Sequence, residues 1–206
     1  WVQHFIYHLA PNGIAGFVLS NVSLSSTSSG EDEIRKNIIQ NDLVDCIITL
    51  PEKLFYNTGI PACIWIINRN KQNQNFRQRK DEILLINAKQ KGTLLNRKNR
   101  ELSIEEIEEI SKIYHNWRNK DGKYEDILGF CKAVKATDVL SYKAKLLPGL
   151  HTGIKLYSEE KISFEERVLE LVNSLNENYQ LIKDIERNAQ EEFKKYGYKF
   201  SNAPLV

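Results

Sequence analysis

The feature that most constrains this chain is a set of four short, nearly uninterrupted apolar runs in its first ninety residues. They are Ile14–Leu19 (IAGFVL), Val44–Leu50 (VDCIITL), Ala62–Asn68 (ACIWIIN) and Glu82–Ala88 (EILLINA). Runs this short, bounded by turn residues and rich in isoleucine and valine, read as strands buried on both faces. Helical patterns lie between them. Residues 1–9 place Trp1, Val2, Phe5, Ile6 and Leu9 on one face, and Pro11-Asn12-Gly13 stops that helix. Residues 31–41 place Ile34, Ile38 and Ile39 together. Helix, strand, helix, strand, strand predicts an α/β fold: one half of a doubly wound, Rossmann-like sheet ending in a β-hairpin. The first helix has no strand before it and the chain carries no methionine. Both facts lead us to expect that Trp1 is an internal position of a longer polypeptide and that the Ile14–Leu19 strand lacks a neighbour.

Hydrophobic residues make up 41% of the 206 and charged residues 27%, enough apolar material for a core. No apolar run approaches the ~18 residues of a membrane span, so no membrane role is expected. Cys46, Cys63 and Cys131 are odd in number and widely spaced. That argues against a disulfide framework or a Cys-rich zinc site and for a reduced, cytoplasmic setting.

Beyond residue 88 the pattern changes. Ser103-Ile104-Glu105-Glu106 is a capping box opening a helix to about Asn119, with Ile104, Ile107, Ile110, Ile113, Tyr114 and Trp117 on its apolar side. Tyr124 to Gly153 reads as irregular. A second box, Ser163 to Glu166, opens a helix expected to run to Tyr196. Its apolar positions are Phe164, Val168, Leu171, Leu175, Tyr179, Ile182, Ile185, Ala189 and Phe193, a mean spacing of about 3.6. The stripe therefore stays on one side for about 48 Å, too long to be covered by a domain this small. It calls for a partner helix.

Charge is unevenly distributed beneath a net +2. Between Arg69 and Arg100 stand ten basic residues, Arg69, Lys71, Arg77, Arg79, Lys80, Lys89, Lys91, Arg97, Lys98 and Arg100, against Asp81 and Glu82, a local balance of +8. The stretch fits either a phosphate-facing surface or a merely solvated loop.

Catalytic signatures are missing. No two prolines are adjacent, no Gly-x-Gly occurs, and there is no P-loop lysine. His4 and His8 share a helix face at i,i+4 but lack a third metal ligand, so no metal site is expected. The best candidate is the loop Leu50–Gly59 (LPEKLFYNTG), at the carboxyl end of a strand, where ligands of open α/β sheets bind. Phe55 and Tyr56 lie there outside any periodic element, followed by the turn residues Asn57, Thr58 and Gly59. An aromatic at a cleft mouth suits stacking on an extruded base. Phe55 plugging the sheet's end as core is the competing reading. The Ser20–Gly30 loop is expected on the same edge.

APNGIAGFVLSN, GEDEIRKNIIQNDLVDCIITLPEKLFYNTGIPACIWIINRNK and YEDILGFCK resemble the adenine-specific DNA methyltransferase (modification) subunit of type I restriction-modification systems, over about Trp1 to Tyr198. The resemblance implies the C-terminal half of a class I methyltransferase sheet and transfer of a methyl group from S-adenosylmethionine to N6 of a flipped adenine in duplex DNA. In that family a glycine-rich cofactor motif and an Asn-Pro-Pro-Phe catalytic motif precede this region, and neither occurs here. No catalytic residue is therefore expected in these 206 residues, and the chain alone is expected to be inactive. The resemblance assigns Phe55, with Tyr56, Asn57 and Thr58, to the flipped base. Arg69, Lys71, Arg77, Arg79 and Lys80 are the candidates for the DNA backbone.

The family's C-terminal helices pack on the specificity subunit. That makes Phe164, Val168, Leu171, Leu175, Tyr179 and Ile182 candidate interface positions. The restriction subunit and the missing N-terminal part of the same subunit are further implied partners. His151 departs from the aromatic expected there. The expected divisions are 1–100, an incomplete catalytic domain; 101–153, a connecting segment; and 154–206, the assembly helix. A non-catalytic docking module for the specificity subunit is the alternative.

Overall fold

The apolar runs form the middle of a mixed sheet in the computed structural model, which describes residues 1–153 and 164–197. Helix α1 (Val2–His8) leads into β1 (Ile14–Ser20), then α2 (Glu31–Gln40), β2 (Val44–Thr49), β3 (Ala62–Asn68) and β4 (Glu82–Asn87). A small hairpin of β5 (Thr93–Leu94) and β6 (Arg100–Glu101) precedes α3 (Ile104–Arg118). Strand β7 (Cys131–Lys135), α4 (Ala136–Ser141), α5 (Pro148–His151) and the 32-residue α6 (Phe164–Lys195) complete the order.

The sheet order is β1-β3-β2-β4-β7. β3 runs antiparallel to both β1 and β2, so β2 and β3 form the expected hairpin, while β4 lies parallel to β2 and β7 antiparallel to β4. Every residue of β2 is buried, which a continuous apolar run in a central strand requires. One face packs Ile47, Trp65, Ile67, Ile83 and Leu85 against Ile38 and Ile39 of α2 and Val139 of α4. The other packs Cys46, Ile48, Leu84 and Ile86 against Ile110, Ile113 and Trp117 of α3. The Ser103 box is formed: Ser103 Oγ accepts from Glu106 N at 3.2 Å, and Glu106 Oε2 accepts from Ser103 N at 3.0 Å.

Two expectations are corrected here. First, β1 is not buried on both faces; it borders the sheet, with Ile14 and Val18 exposed in alternation. Second, Tyr124–Gly153 is not irregular, because it contains β7, α4 and α5. CKAVK escapes an apolar-run reading because it is an outer strand whose lysines face water. β7 and α3 complete the sheet and one of its faces, and the chain forms two units, Trp1–Lys155 and Leu156–Val206. On α3, Ile104 and Ile107 of the predicted stripe are exposed, while Ile110, Ile113 and Trp117 are buried. No helix among the described residues is long and apolar enough to cross a membrane.

Candidate functional site

Strand direction sorts the loops. β1, β2 and β4 point the same way, so their carboxyl ends share one edge of the sheet, where β3 and β7 begin. The pairs Ser20 with Ala62, Thr49 with Cys63 and Asn87, and Ile86 with Cys131 lie at or next to it. The Phe55 loop leaves from this edge. Its neck is closed by Leu50 N donating to Ala62 O at 2.9 Å. At its tip Phe55 and Thr58 form a narrow bridge, and Thr58 Oγ1 accepts from Ile60 N at 3.1 Å. The aromatics are pushed outward: Phe55 is 43% exposed and Tyr56 91%. The plug at the sheet's end is Leu54, which packs on the α3-side core. Phe55 and Tyr56 thus face outward from the loop, while Asn57 and Thr58 shape the turn beside them.

Lys53 sits in left-handed backbone (φ 65°), an uncommon state for a residue with a Cβ. Its carbonyl accepts from Arg100 N at 2.8 Å. That bond ties the Phe55 loop to the β5–β6 hairpin.

On the same edge the Ser20–Gly30 loop is held from inside. Arg35 is buried and donates to Ser26 O at 2.9 Å, Ser23 O at 3.3 Å and Ala144 O at 2.7 Å. Ser23 Oγ accepts from Trp65 Nε1 at 3.1 Å.

The basic residues expected at the DNA backbone do not gather beside Phe55. β3 carries the chain to the far edge, and Arg69, Lys71, Arg77, Arg79 and Lys80 all lie in the connection from Asn68 to Glu82 there. β3's seven residues put about 20 Å of strand between the two loops. Lys71 is 3% exposed, with Nζ 2.5 Å from Asp42 Oδ1 and 2.6 Å from Glu82 O. Burial lowers its pKa, opposed by the hydrogen bond and charge of Asp42.

Arg79 is 1% exposed. Its Nε donates to the fully buried Asp45 at 3.2 Å, Nη1 donates to Arg77 O at 2.9 Å, and Cζ lies 5.2 Å from the Trp117 ring centre. Tyr114 donates to the other Asp45 oxygen at 2.9 Å, and burial first, then Asp45, raises the phenol's pKa. Lys71 and Arg79, expected at phosphate, are instead buried against carboxylates of the fold, the half-buried Asp42 and the fully buried Asp45. Arg77 donates to Glu82 at 2.8 Å and to Trp117 O at 2.8 Å. Arg69 Nη1 donates to Leu9 O. Lys80 is exposed.

The other half of the basic stretch, Lys89 to Arg100, is what stands at the Phe55 edge. The signals for it were Gly92 and the paired Asn96 and Asn99, which mark a hairpin. On α6, Val168, Leu171, Leu175, Tyr179 and Ile182 are each at least 41% exposed; the Phe164 side chain lies outside the described residues. His151 Nε2 lies 3.0 Å from Lys145 O, and its ring meets Tyr142 edge-on.

Residues 1–160 match the family described as N-6 DNA Methylase. The HindI type I restriction enzyme methylase subunit of Haemophilus influenzae is 38% identical over 198 residues, 96% of this chain and 43% of that protein. The MjaIX methylase subunit of Methanocaldococcus jannaschii is 37% identical over 178 residues, 85% of this chain and 30% of that protein. The crystal structure of a type I restriction-modification methyltransferase subunit from Streptococcus thermophilus superposes with a TM-score of 0.59 at 25% identity, covering 70% of this chain and 28% of its own. The chain thus spans less than half the length of these relatives.

Proposed function

Because the chain belongs to the N-6 DNA methylase family, we propose that it supplies the base-facing wall and the assembly helix of a type I restriction-modification methylase subunit acting on adenine N6 in duplex DNA. The observation that carries this is Phe55, presented 43% exposed on a tied loop at the carboxyl edge while Leu54 fills the core beneath it. A flipped adenine needs a flat apolar surface outside the stack, and an anchored phenyl ring provides one without acid–base chemistry. Its role is positioning: the ring limits the tilt of the base so that the amino group meets the methyl donor.

S-adenosylmethionine supplies that methyl as a sulfonium. Neither Gly-x-Gly nor Asn-Pro-Pro-Phe occurs in these 206 residues, so none of them is proposed to contact the cofactor. The proposed partners are duplex DNA, the N-terminal part of the same subunit, a restriction subunit, and a specificity subunit that covers the exposed α6 stripe. The sheet is proposed as the C-terminal half of a Rossmann-like methyltransferase sheet.

The test is tritium transfer from S-adenosylmethionine to unmodified duplex DNA by a subunit containing this chain. Phe55→Ala should lower transfer by about 10- to 100-fold, corresponding to about 1–3 kcal/mol of lost base stacking, while Phe55→Tyr retains most of it. Full activity in Phe55→Ala, or turnover by these 206 residues alone, would refute the assignment.

A further inference from the structure

We infer that the tip of the β5–β6 hairpin, Arg97 and Lys98, is a clamp for the phosphate backbone of the DNA strand whose base meets Phe55. The inference rests on the reading of Phe55 given above and assigns the DNA contact to a segment other than residues 69–80.

From Ala88 to Arg100 the sequence holds five basic residues and no acidic one. Two of the five are spent on architecture. Lys91 pairs with Glu109 and lies 4.8 Å from the Phe130 ring centre. The Arg100 guanidinium donates to Gly92 O at 2.6 Å and Lys91 O at 3.2 Å, cross-bracing the hairpin's base. Gly92 is required there: at φ 81° a Cβ would sit 2.7 Å from Glu101 O. Its amide donates to Glu106 Oε1 at 2.7 Å, which pins the hairpin to the first turn of α3.

At the tip, Asn96 Oδ1 accepts from both Lys98 N (2.8 Å) and Asn99 N (2.9 Å), and Leu95 N donates to Asn99 O at 2.9 Å. The turn is fixed by its own asparagine, and Arg97 and Lys98 are exposed with no ion-pair partner among the described residues. Two adjacent cations on a braced turn fit an anion from outside.

Arg100 is bonded through its backbone to Lys53, two residues before Phe55. Arg97 is three residues further out, so it lies within about 10 Å of that junction. One DNA strand places a phosphate about every 3.4 Å along the duplex axis. A clamp at that reach covers the phosphates flanking an extruded nucleotide, where the backbone must be held while the base leaves the stack.

The experiment measures binding of the 206-residue chain to a short fluorescein-labelled duplex by anisotropy, between about 50 and 200 mM salt. The Arg97→Gln/Lys98→Gln variant is compared with the charge-matched Arg69→Gln/Lys80→Gln variant from the opposite edge. Loss of two phosphate contacts should reduce the magnitude of the log–log salt slope by about 1.8 in the hairpin variant and leave it unchanged in the control. Equal slopes in the hairpin variant and the unsubstituted chain would overturn the clamp while leaving the DNA-acting reading intact. So would equal losses in both variants, which mark diffuse charge. Polyglutamate displacing the duplex through the same two residues would assign the tip to an acidic polypeptide and overturn it too. Absence of duplex binding by the unsubstituted chain at about 50 mM salt would sink the clamp and the DNA reading together.

Discussion

Arg79→Met separates a structural arginine from a DNA-binding one. The substitution keeps much of the side chain's length and removes the guanidinium. Asp45, 0% exposed, is then left with one described donor, the Tyr114 hydroxyl at 2.9 Å. Breaking one side of a buried ion pair costs about 3–5 kcal/mol. The lower end applies, because Arg79 Nη2 is itself buried without a partner and its removal returns part of the cost. With a urea slope of about 2 kcal/mol/M, a loss of about 3 kcal/mol lowers the unfolding midpoint by about 1.5 M. Urea unfolding followed by tryptophan fluorescence reads this directly, since Trp117 lies against Arg79. The double variant Asp45→Asn/Arg79→Met should recover most of the loss, because it removes the stranded charge and leaves Tyr114 an acceptor. An unchanged midpoint in Arg79→Met, combined with a weaker salt dependence of DNA binding, would refute the reasoning and return Arg79 to the surface.

Two further outcomes follow from geometry already described. Leu171→Asp/Leu175→Asp on α6 should leave the thermal transition of the Trp1–Lys155 unit in place yet abolish co-purification with a specificity subunit, each leucine contributing about 1.5–3 kcal/mol when buried; retained assembly would exclude the stripe as the interface. Glu106→Ala removes the acceptor of Gly92 N and Ser103 N, so amide exchange in the β5–β6 hairpin should quicken several-fold, a loss of about 1 kcal/mol. Those same two backbone amides hold the Glu106 carboxyl below its ordinary 4.5. A depressed carboxylate contributes its stabilisation above the ordinary value and loses it as pH falls through the folded one. The Glu106 share of the hairpin's protection, the same several-fold, should thus be flat through neutral pH and be lost in acid.

How much of this was legible in the sequence depends on whether a signal was local. IIQNDLVDCIITL and ACIWIIN declare buried strands by composition, and Ser103 with Glu106 declares a helix start, because each involves residues within a few positions of one another. β1 looked like a fully buried strand because its apolar run does not reveal that it borders the sheet. The role of Arg79 was not legible: its partner Asp45 lies 34 positions away, and nothing local tells a buried guanidinium from a solvated one. The basic stretch from Arg69 to Arg100 failed as one surface for a topological reason. A hairpin reverses direction at β3, so a charge total taken along the chain adds groups that the sheet holds on opposite edges. Phe55 was readable as a candidate, but its exposure followed from Leu54 taking the core position, a choice that packing makes.

The position of β1 also decides how solutions of the chain behave. IAGFVLS carries no lysine and no proline, the residues that usually blunt a bordering strand. With Ile14 and Val18 facing outward and one row of backbone amides and carbonyls unclaimed by any described strand, this border is a template for another copy's strand. Light scattering that rises more steeply than linearly with protein concentration is the expected outcome. A charged substitution at Val18, on the wet face, is the natural gatekeeper for handling the chain at high concentration.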